Sequence, residues 1–168
     1  MAADAVRVEH DLLGQVTLPA GALYGVHAER ALANFAMAGR PVHPALVEAY
    51  GTVKLATVLT NRALGAWQND QAKADAFEQA CREMAAGELT VHVVVDALQG
   101  GVATSTNMNV NEVLANRALE LHAEAHGAYE RVSPLDDVNL HQTCRRRHVC
   151  WFTGSGTDME RLCQEGVV

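Results

Sequence analysis

Residues 99–118, QGGVATSTNMNVNEVLANRA, place small and hydroxyl-bearing side chains directly before a stretch with the composition of a helix. Gly100 and Gly101 permit backbone conformations that are closed to other residues, and they let a ligand approach the backbone closely. Asn109 and Glu112 have the spacing of an N-cap residue and its reciprocal partner, which predicts a helix that begins near Val110. The stretch therefore predicts a glycine loop that opens into a helix.

Four short polar side chains stand just before this expected helix: Thr104, Ser105, Thr106 and Asn107. The N–H groups of a helix's first turn have no acceptor within their own helix, and hydroxyls beside them add further donors. Such a place suits an anion, for example a carboxylate. Two interpretations follow from the residues: a loop that binds a carboxylate, or a loop that only caps a helix.

The rest of the chain predicts short strands followed by helices. Residues 6–18 alternate imperfectly between apolar and polar, which is typical of short strands or of an extended arm that ends in a turn. Helices are predicted over residues 28–37 and 44–64, and a third is capped by Asn69 or Asp70. Helical spacing predicts two buried stripes, Leu46, Tyr50 and Val53 in the second helix and Phe77, Cys81 and Met84 in the third.

Composition and charge narrow the class of protein. The 168 residues are 49% hydrophobic but only 5% aromatic, which indicates one globular domain with an Ala/Leu/Val helical core. The net charge of −7 argues against a general affinity for nucleic acid or for acidic membrane surfaces. No apolar run is long enough to span a bilayer, and the N-terminus lacks the layout of a signal peptide. We therefore expect a cytoplasmic protein.

Three segments together resemble one known family. GGVATSTNMNVNEVLANRA resembles the first signature of the aspartase/fumarase superfamily, GGAGTSxNMNxNEVxANRA. LLGQVTLPAGALYGVHAERALANF, residues 12–35, is similar to the family's LGxxxVPxxALYGVxTxRAxxNF. DDVNLHQ, residues 136–142, is similar to the segment that leads into the second signature. The segments stand in the family's order, and the resemblance covers about residues 6–142.

The resemblance implies a mainly α fold, the superfamily's N-terminal domain with short N-terminal strands, over residues 1–142. In the family, this domain precedes a five-helix segment, and four subunits pool these segments into a central bundle of twenty helices. The chain has no counterpart of that bundle, so it is expected to be a truncated copy. A homotetramer is implied for the intact family and not for these residues alone.

The resemblance also implies a reaction. Members catalyse a reversible anti-elimination that releases fumarate, and we expect no cofactor for this chain. TSTNMN and YGVHAERA resemble aspartate ammonia-lyases more than class II fumarases, which typically read GTQSNMN and YGxQTxRS. The implied activity is a carbon–nitrogen lyase that converts L-aspartate to fumarate and ammonia. The alternatives are a class II fumarate hydratase and a non-catalytic helical fragment that binds a dicarboxylate or co-assembles with an intact paralogue.

The resemblance assigns substrate binding to four residues: Thr104, Ser105, Thr106 and Asn107. Ser133 and Asp136 fall where the family often has His-Pro-Asn-Asp, a second dicarboxylate-binding segment, so that site has lost two donors. Ala103 replaces a glycine, which strains the loop if that position needs a positive φ. Asp96 matches the acid of the family's VDxxQ. No catalytic residue is assigned, because the GSSxMPxKxN loop with the proton-abstracting serine has no counterpart here.

Residues 143–168 form a tail of a different kind. The family's QSxND reads QTCRR here, and no helical or strand periodicity follows. We interpret the tail as unrelated to the family, either disordered or read out of frame. Zinc binding by Cys144, His148, Cys150 and Cys163 is the alternative, but their spacing lacks the paired CxxC units of common structural sites, so no metal is expected.

Overall fold

The fold is mainly α-helical with short N-terminal strands, as the sequence predicts, and the two strands form a hairpin. The computed structural model describes residues 5–98 and 103–142, so Gly100, Gly101 and the tail lie outside the described residues. The elements are β1 (Val6–Asp11), β2 (Gly14–Pro19), α1 (Val26–Asn34), α2 (Pro44–Ala63), α3 (Gln71–Ala85), a 3-10 turn (Thr90–His92) and α4 (Thr104–Leu121). None of the helices in the described ranges combines the length and the hydropathy that a membrane span requires.

The hairpin is fixed to the loop that follows it by one arginine. β1 and β2 pair antiparallel, from Val6 opposite Pro19 to Asp11 opposite Gly14. The guanidinium of Arg7 donates to four carbonyl oxygens, those of Pro19, Ala20, Ala22 and Tyr24. Because these bonds satisfy an otherwise irregular backbone, the segment that leads into α1 has a defined path.

The buried stripe of α2 differs from the predicted one. Leu46, Tyr50 and Val53 are only half-buried. The fully buried stripe lies one position further along and consists of Val47, Gly51, Lys54, Val58 and Asn61. The reason is Gly51, where a Cβ would meet the backbone of Met84 and Ala85, so this face of α2 approaches α3 most closely. Hydrophobic spacing misses such a stripe because two of its members are polar.

The predictions for α3 are confirmed. Asp70 is its N-cap, and the carboxylate accepts a bond from the N–H of Lys73 at 3.0 Å. Phe77, Cys81 and Met84 are buried in the hydrophobic core, with Val113, Leu114 and Ala118 of α4 in the same cluster. Cys81 is therefore a small core residue, and α3 lies between α2 and α4.

The predicted start of α4 is wrong. The helix begins at Thr104, six residues before Val110, and Asn109 is fully buried inside it. The Asn109 amide accepts bonds from the N–H groups of Val94 and Val95 and donates to the carbonyl of His92, so it holds the extended chain beside α4. Because the Asn109 side chain bonds this distant segment, it does not cap α4. The spacing of Asn109 and Glu112 is nevertheless that of a capping box.

Glu112 caps α1 instead of α4. Its carboxylate is 1% exposed and accepts bonds from three backbone N–H groups, those of Gly25, His27 and Ala28, at 2.7–3.1 Å. These are the N–H groups that a helix start leaves without an acceptor in its own helix. α1 consequently begins at Val26, two residues earlier than predicted, although no side chain next to it in sequence provides a cap.

A second carboxylate and a tyrosine complete the surroundings of the α1 start. Glu9 accepts a bond from the N–H of Val26 at 2.9 Å. The Tyr129 hydroxyl donates to Glu9 at 3.2 Å and accepts from the Asn116 amide at 3.1 Å. A Cβ on Gly25 would touch the Tyr129 hydroxyl and both carboxylates. The convergence of these groups on one backbone position therefore requires glycine there.

We predict that Gly25→Ala lowers the free energy of unfolding by about 1–3 kcal/mol, because the added methyl group overpacks a filled site. Gly21→Ala is the matched control, since a Cβ at this exposed position has nothing within 4 Å. It should change stability by less than about 0.5 kcal/mol. Urea unfolding of both variants tests the prediction, and equal midpoints would contradict it.

Candidate carboxylate site at the start of the signature helix

The residue that precedes α4 holds a strained backbone. Ala103, the N-cap residue of α4, has a φ of +59° and lies in the left-handed region, and its own side chain makes no cap hydrogen bond. The family resemblance has glycine at this position, so alanine carries the steric penalty that the sequence suggested. The left-handed turn directs the chain abruptly into the helix.

The four predicted substrate-binding residues form the first turn of α4 and do not precede it. Thr104 is exposed and Ser105 is half-buried, so these two side chains reach the surface. Thr106 and Asn107 are only 3% and 1% exposed and point into the protein. The structure therefore brings the four together on one helical turn, with two hydroxyls outside and one hydroxyl and one amide inside.

Two residues that the sequence analysis did not single out stand behind this turn. The Asn107 amide donates to Oδ1 of Asn139 at 3.3 Å, and the same oxygen accepts from Nζ of Lys54 at 3.4 Å. Asn139 belongs to the DDVNLHQ segment, and the family resemblance of this segment could have indicated a role for Asn139. Lys54 is fully buried, and its only signal is a charged residue within an otherwise apolar part of α2.

Ser133 and Asp136, the predicted second dicarboxylate segment, bond to each other. The Ser133 hydroxyl donates to the Asp136 carboxylate at 3.0 Å and accepts from the N–H groups of Leu135 and Asp136. Asp137 closes the same turn through the N–H of Ser133 at 2.7 Å. In this arrangement Ser133 caps a turn and Asp136 adds a negative charge, neither of which favours a bound anion.

The acidic residues near α4 differ in their electrostatics. Burial raises the pKa of Glu112 to about 7, against the opposing effect of its three N–H donors, and the nearby Glu9 carboxylate raises it further. Burial and the same two carboxylates raise the pKa of Tyr129. For Asp96, burial alone would raise the pKa, but N–H donors including those of Leu98, Gly39 and Ala38 lower it. The Asp96 carboxylate thus holds the backbone of residues 38–39 next to that of residue 98.

No group of three His, Cys, Asp or Glu side chains among residues 5–98 and 103–142 is placed to hold a metal ion. The alternative zinc ligands, Cys144, His148, Cys150 and Cys163, lie outside the described residues. What the described part of the site offers chemically is a set of uncharged donors at the positive end of a helix dipole, an arrangement that favours a carboxylate.

Comparison with known proteins defines the class. A family model described as lyase matches residues 14–145. A fumarate lyase:delta crystallin from Brucella melitensis has a crystal structure that superposes with a TM-score of 0.78 at 40% identity, covering 83% of this chain and 33% of that one. The chain therefore belongs to the lyase family, in the aspartase/fumarase superfamily.

The similar relatives include two kinds of lyase. Aspartate ammonia-lyase from Pseudomonas canavaninivorans is 43% identical over 143 residues, 84% of this chain and 30% of the relative. Class II fumarate hydratase from Corynebacterium efficiens is 40% identical over 137 residues, 82% of this chain and 27% of the relative. The chain thus spans about 30% of the length of the curated relatives that it matches.

The pKa of Glu112 predicts a pH dependence of stability. Its pKa of about 7 in the folded state exceeds the ordinary glutamate pKa of 4.5. The folded state therefore binds more protons between about pH 4.5 and 7, and stability falls as pH rises through this window. At about 1.4 kcal/mol per pKa unit, the titration of Glu112 lowers the free energy of unfolding by about 3 kcal/mol between these two pH values.

Glu112→Gln should remove this contribution to the slope, because glutamine does not titrate. Glu88→Gln, at an exposed position, is the control and should keep the wild-type slope. The measurement is the free energy of unfolding of the three proteins at a series of pH values between 4 and 8. Parallel curves for wild type and Glu112→Gln would contradict the assignment.

Proposed function

We propose that this chain supplies the carboxylate-binding part of an aspartate ammonia-lyase-like site, in which L-aspartate is converted to fumarate and ammonia by anti-elimination. The substrate-binding residues are Thr104, Ser105, Thr106 and Asn107. The observation that carries the proposal is their arrangement on the first turn of α4, with two hydroxyls at the surface and a buried amide held behind them.

The proposed reaction places negative charge on a carboxylate of the substrate. When a base removes the proton beside a carboxylate, negative charge builds on the carboxylate oxygens. Donors that are already oriented toward those oxygens lower the barrier because they need no reorganisation during the reaction. Hydroxyl and amide side chains at a helix start suit this task, since they add donors without adding a charge of their own.

Class II fumarate hydratase is the second candidate. Two class II fumarate hydratases are 40% and 42% identical to the chain, and four aspartate ammonia-lyases are 41–44% identical to it. The sequence TSTNMN favours the ammonia-lyase. Both activities share a dicarboxylate product or substrate, so the role of the α4 start is the same in each.

The remaining roles are also proposals. We propose Ser133 and Asp136, which bond to each other at 3.0 Å, as the counterpart of the family's second dicarboxylate segment. We propose cytoplasmic location and no nucleic-acid or membrane partner, in keeping with the net charge of −7. The domain comprises residues 1–142, and the tail, residues 143–168, lies outside it.

We predict that Thr104→Val weakens fumarate binding by about tenfold or more, because one hydrogen bond to a charged group is lost. The change keeps the shape of the side chain and removes its hydroxyl. Thr60→Val is the matched control: Thr60 is also exposed on a helix, and its hydroxyl bonds the carbonyl of Ala56. Fumarate titrations followed by amide resonances of the ¹⁵N-labelled chain give the Kd values.

Fumarate binding by wild type and Thr60→Val but not by Thr104→Val supports the site. Equal Kd values for all three proteins would show that Thr104 has no part in it. If wild type gives no fumarate-dependent shifts, the dicarboxylate site itself is wrong.

A second prediction concerns turnover. We expect purified chain to form no fumarate from L-aspartate, since the 168 residues contain no counterpart of the family's serine loop that removes the proton. Ultraviolet absorbance of fumarate is the measurement, with malate as substrate in parallel to test hydratase activity. Formation of fumarate from aspartate by a homogeneous preparation would contradict the expectation and identify the chain as complete in catalysis.

A further inference from the structure

Lys54 is a fully buried lysine whose described contacts are all oxygen acceptors. Its Nζ donates to the carbonyl of Val138 at 3.0 Å, to Oε1 of Gln142 at 3.2 Å and to Oδ1 of Asn139 at 3.4 Å. Three acceptors require three N–H donors, and only the ammonium form of lysine carries three. The geometry therefore places a donor-only group against residues 138–142.

The oxygen of Asn139 is shared between Lys54 and the proposed site. Oδ1 accepts from both Lys54 Nζ and Asn107 Nδ2, and Nδ2 of Asn139 donates to the carbonyl of Gln142 at 3.1 Å. An ammonium group can only donate, so it obliges Asn139 to present its oxygen and not its NH₂ group. With that oxygen fixed, the Asn107 amide has one orientation in which it can donate.

We propose that Lys54 is a positioning residue of the dicarboxylate site: through the shared acceptor Asn139 it fixes the orientation of Asn107 on the first turn of α4. The proposal rests on the proposed function, because the orientation of Asn107 affects ligand binding only if that turn binds a carboxylate. Among the described residues, it is Asn139 that connects Lys54 to Asn107.

Attachment of residues 138–142 to α2 does not by itself explain a lysine. Asn61, on the same buried stripe, donates to the carbonyl of Leu140 at 3.4 Å and joins the same two parts of the chain through a neutral amide. Burial of a charged group is unfavourable, and apolar replacements of similar shape are often neutral or stabilising. What Lys54 adds to Asn61 is a donor to the same Asn139 oxygen that Asn107 uses, and it acts together with the bond from Asn139 Nδ2 to the carbonyl of Gln142.

The test compares Lys54→Met with Asn61→Ala in the full ¹⁵N-labelled chain. Methionine keeps the length of the side chain and removes every donor, whereas Asn61→Ala loosens the same segment without touching the shared oxygen. We expect Lys54→Met to displace or broaden the Asn107 side-chain amide resonance and to raise the Kd for fumarate about tenfold, the effect of one lost bond to a charged group. Asn61→Ala should leave both close to wild type.

The outcomes separate this proposal from the proposed function. Equal fumarate Kd values for wild type and Lys54→Met overturn the role of Lys54 alone. Loss of binding in Asn61→Ala to the same degree as in Lys54→Met also overturns it, since the effect is then only attachment of the segment. Absence of fumarate binding by wild type overturns the dicarboxylate site and this proposal with it.

Asn139→Ala provides the test if Lys54→Met does not fold. Asn139 is half-buried, and the substitution removes the shared acceptor while Lys54 stays in place. The expected result is the same change of the Asn107 amide resonance and the same rise in the fumarate Kd. An Asn139→Ala chain that binds fumarate like wild type overturns the proposal.

Discussion

The three bonds between the Glu112 carboxylate and the first turn of α1 are the interaction on which the rest of the structure depends. They join residues 84–87 positions apart in sequence, and they start α1 without a cap of its own. A buried carboxylate at a helix start satisfies both the helix and itself, because each N–H group gains an acceptor that water cannot supply there. Gly25, Glu9 and Tyr129 are arranged around this contact.

Other buried polar side chains of α4 also bond backbone segments that are distant in sequence. Asn109 bonds the extended chain at residues 92–95, Glu112 bonds α1, and Asn116 bonds the carbonyl of Leu23 and the N–H of Gly127. The polar residues of the signature are therefore mainly internal connectors that attach separate segments to one helix. Its first turn is the exception, with Thr104 and Ser105 at the surface. The connecting residues and the proposed site therefore lie on the same helix, α4. The rigid attachment of this helix orients the side chains of the proposed site.

Local signals in the sequence were sufficient for much of the fold. The short N-terminal strands, the bounds of α2 and the cap and stripe of α3 depend on residues within a few positions of one another. The start of α4 was not predictable in this way, because two residues three apart on a helix have the spacing of a capping box wherever they lie. The role of Lys54 was not predictable either. Its described partners lie 84–88 positions away in sequence, and the spacing of residues along α2 does not indicate them.

The most direct test of this account is amide hydrogen exchange at Gly25, His27 and Ala28. If the Glu112 carboxylate holds the start of α1, these three N–H groups should exchange as slowly as those in the buried middle of α4. Exchange at the rate of an unfolded peptide, while the amides of α4 stay protected, would show that Glu112 does not hold α1 and would contradict the account.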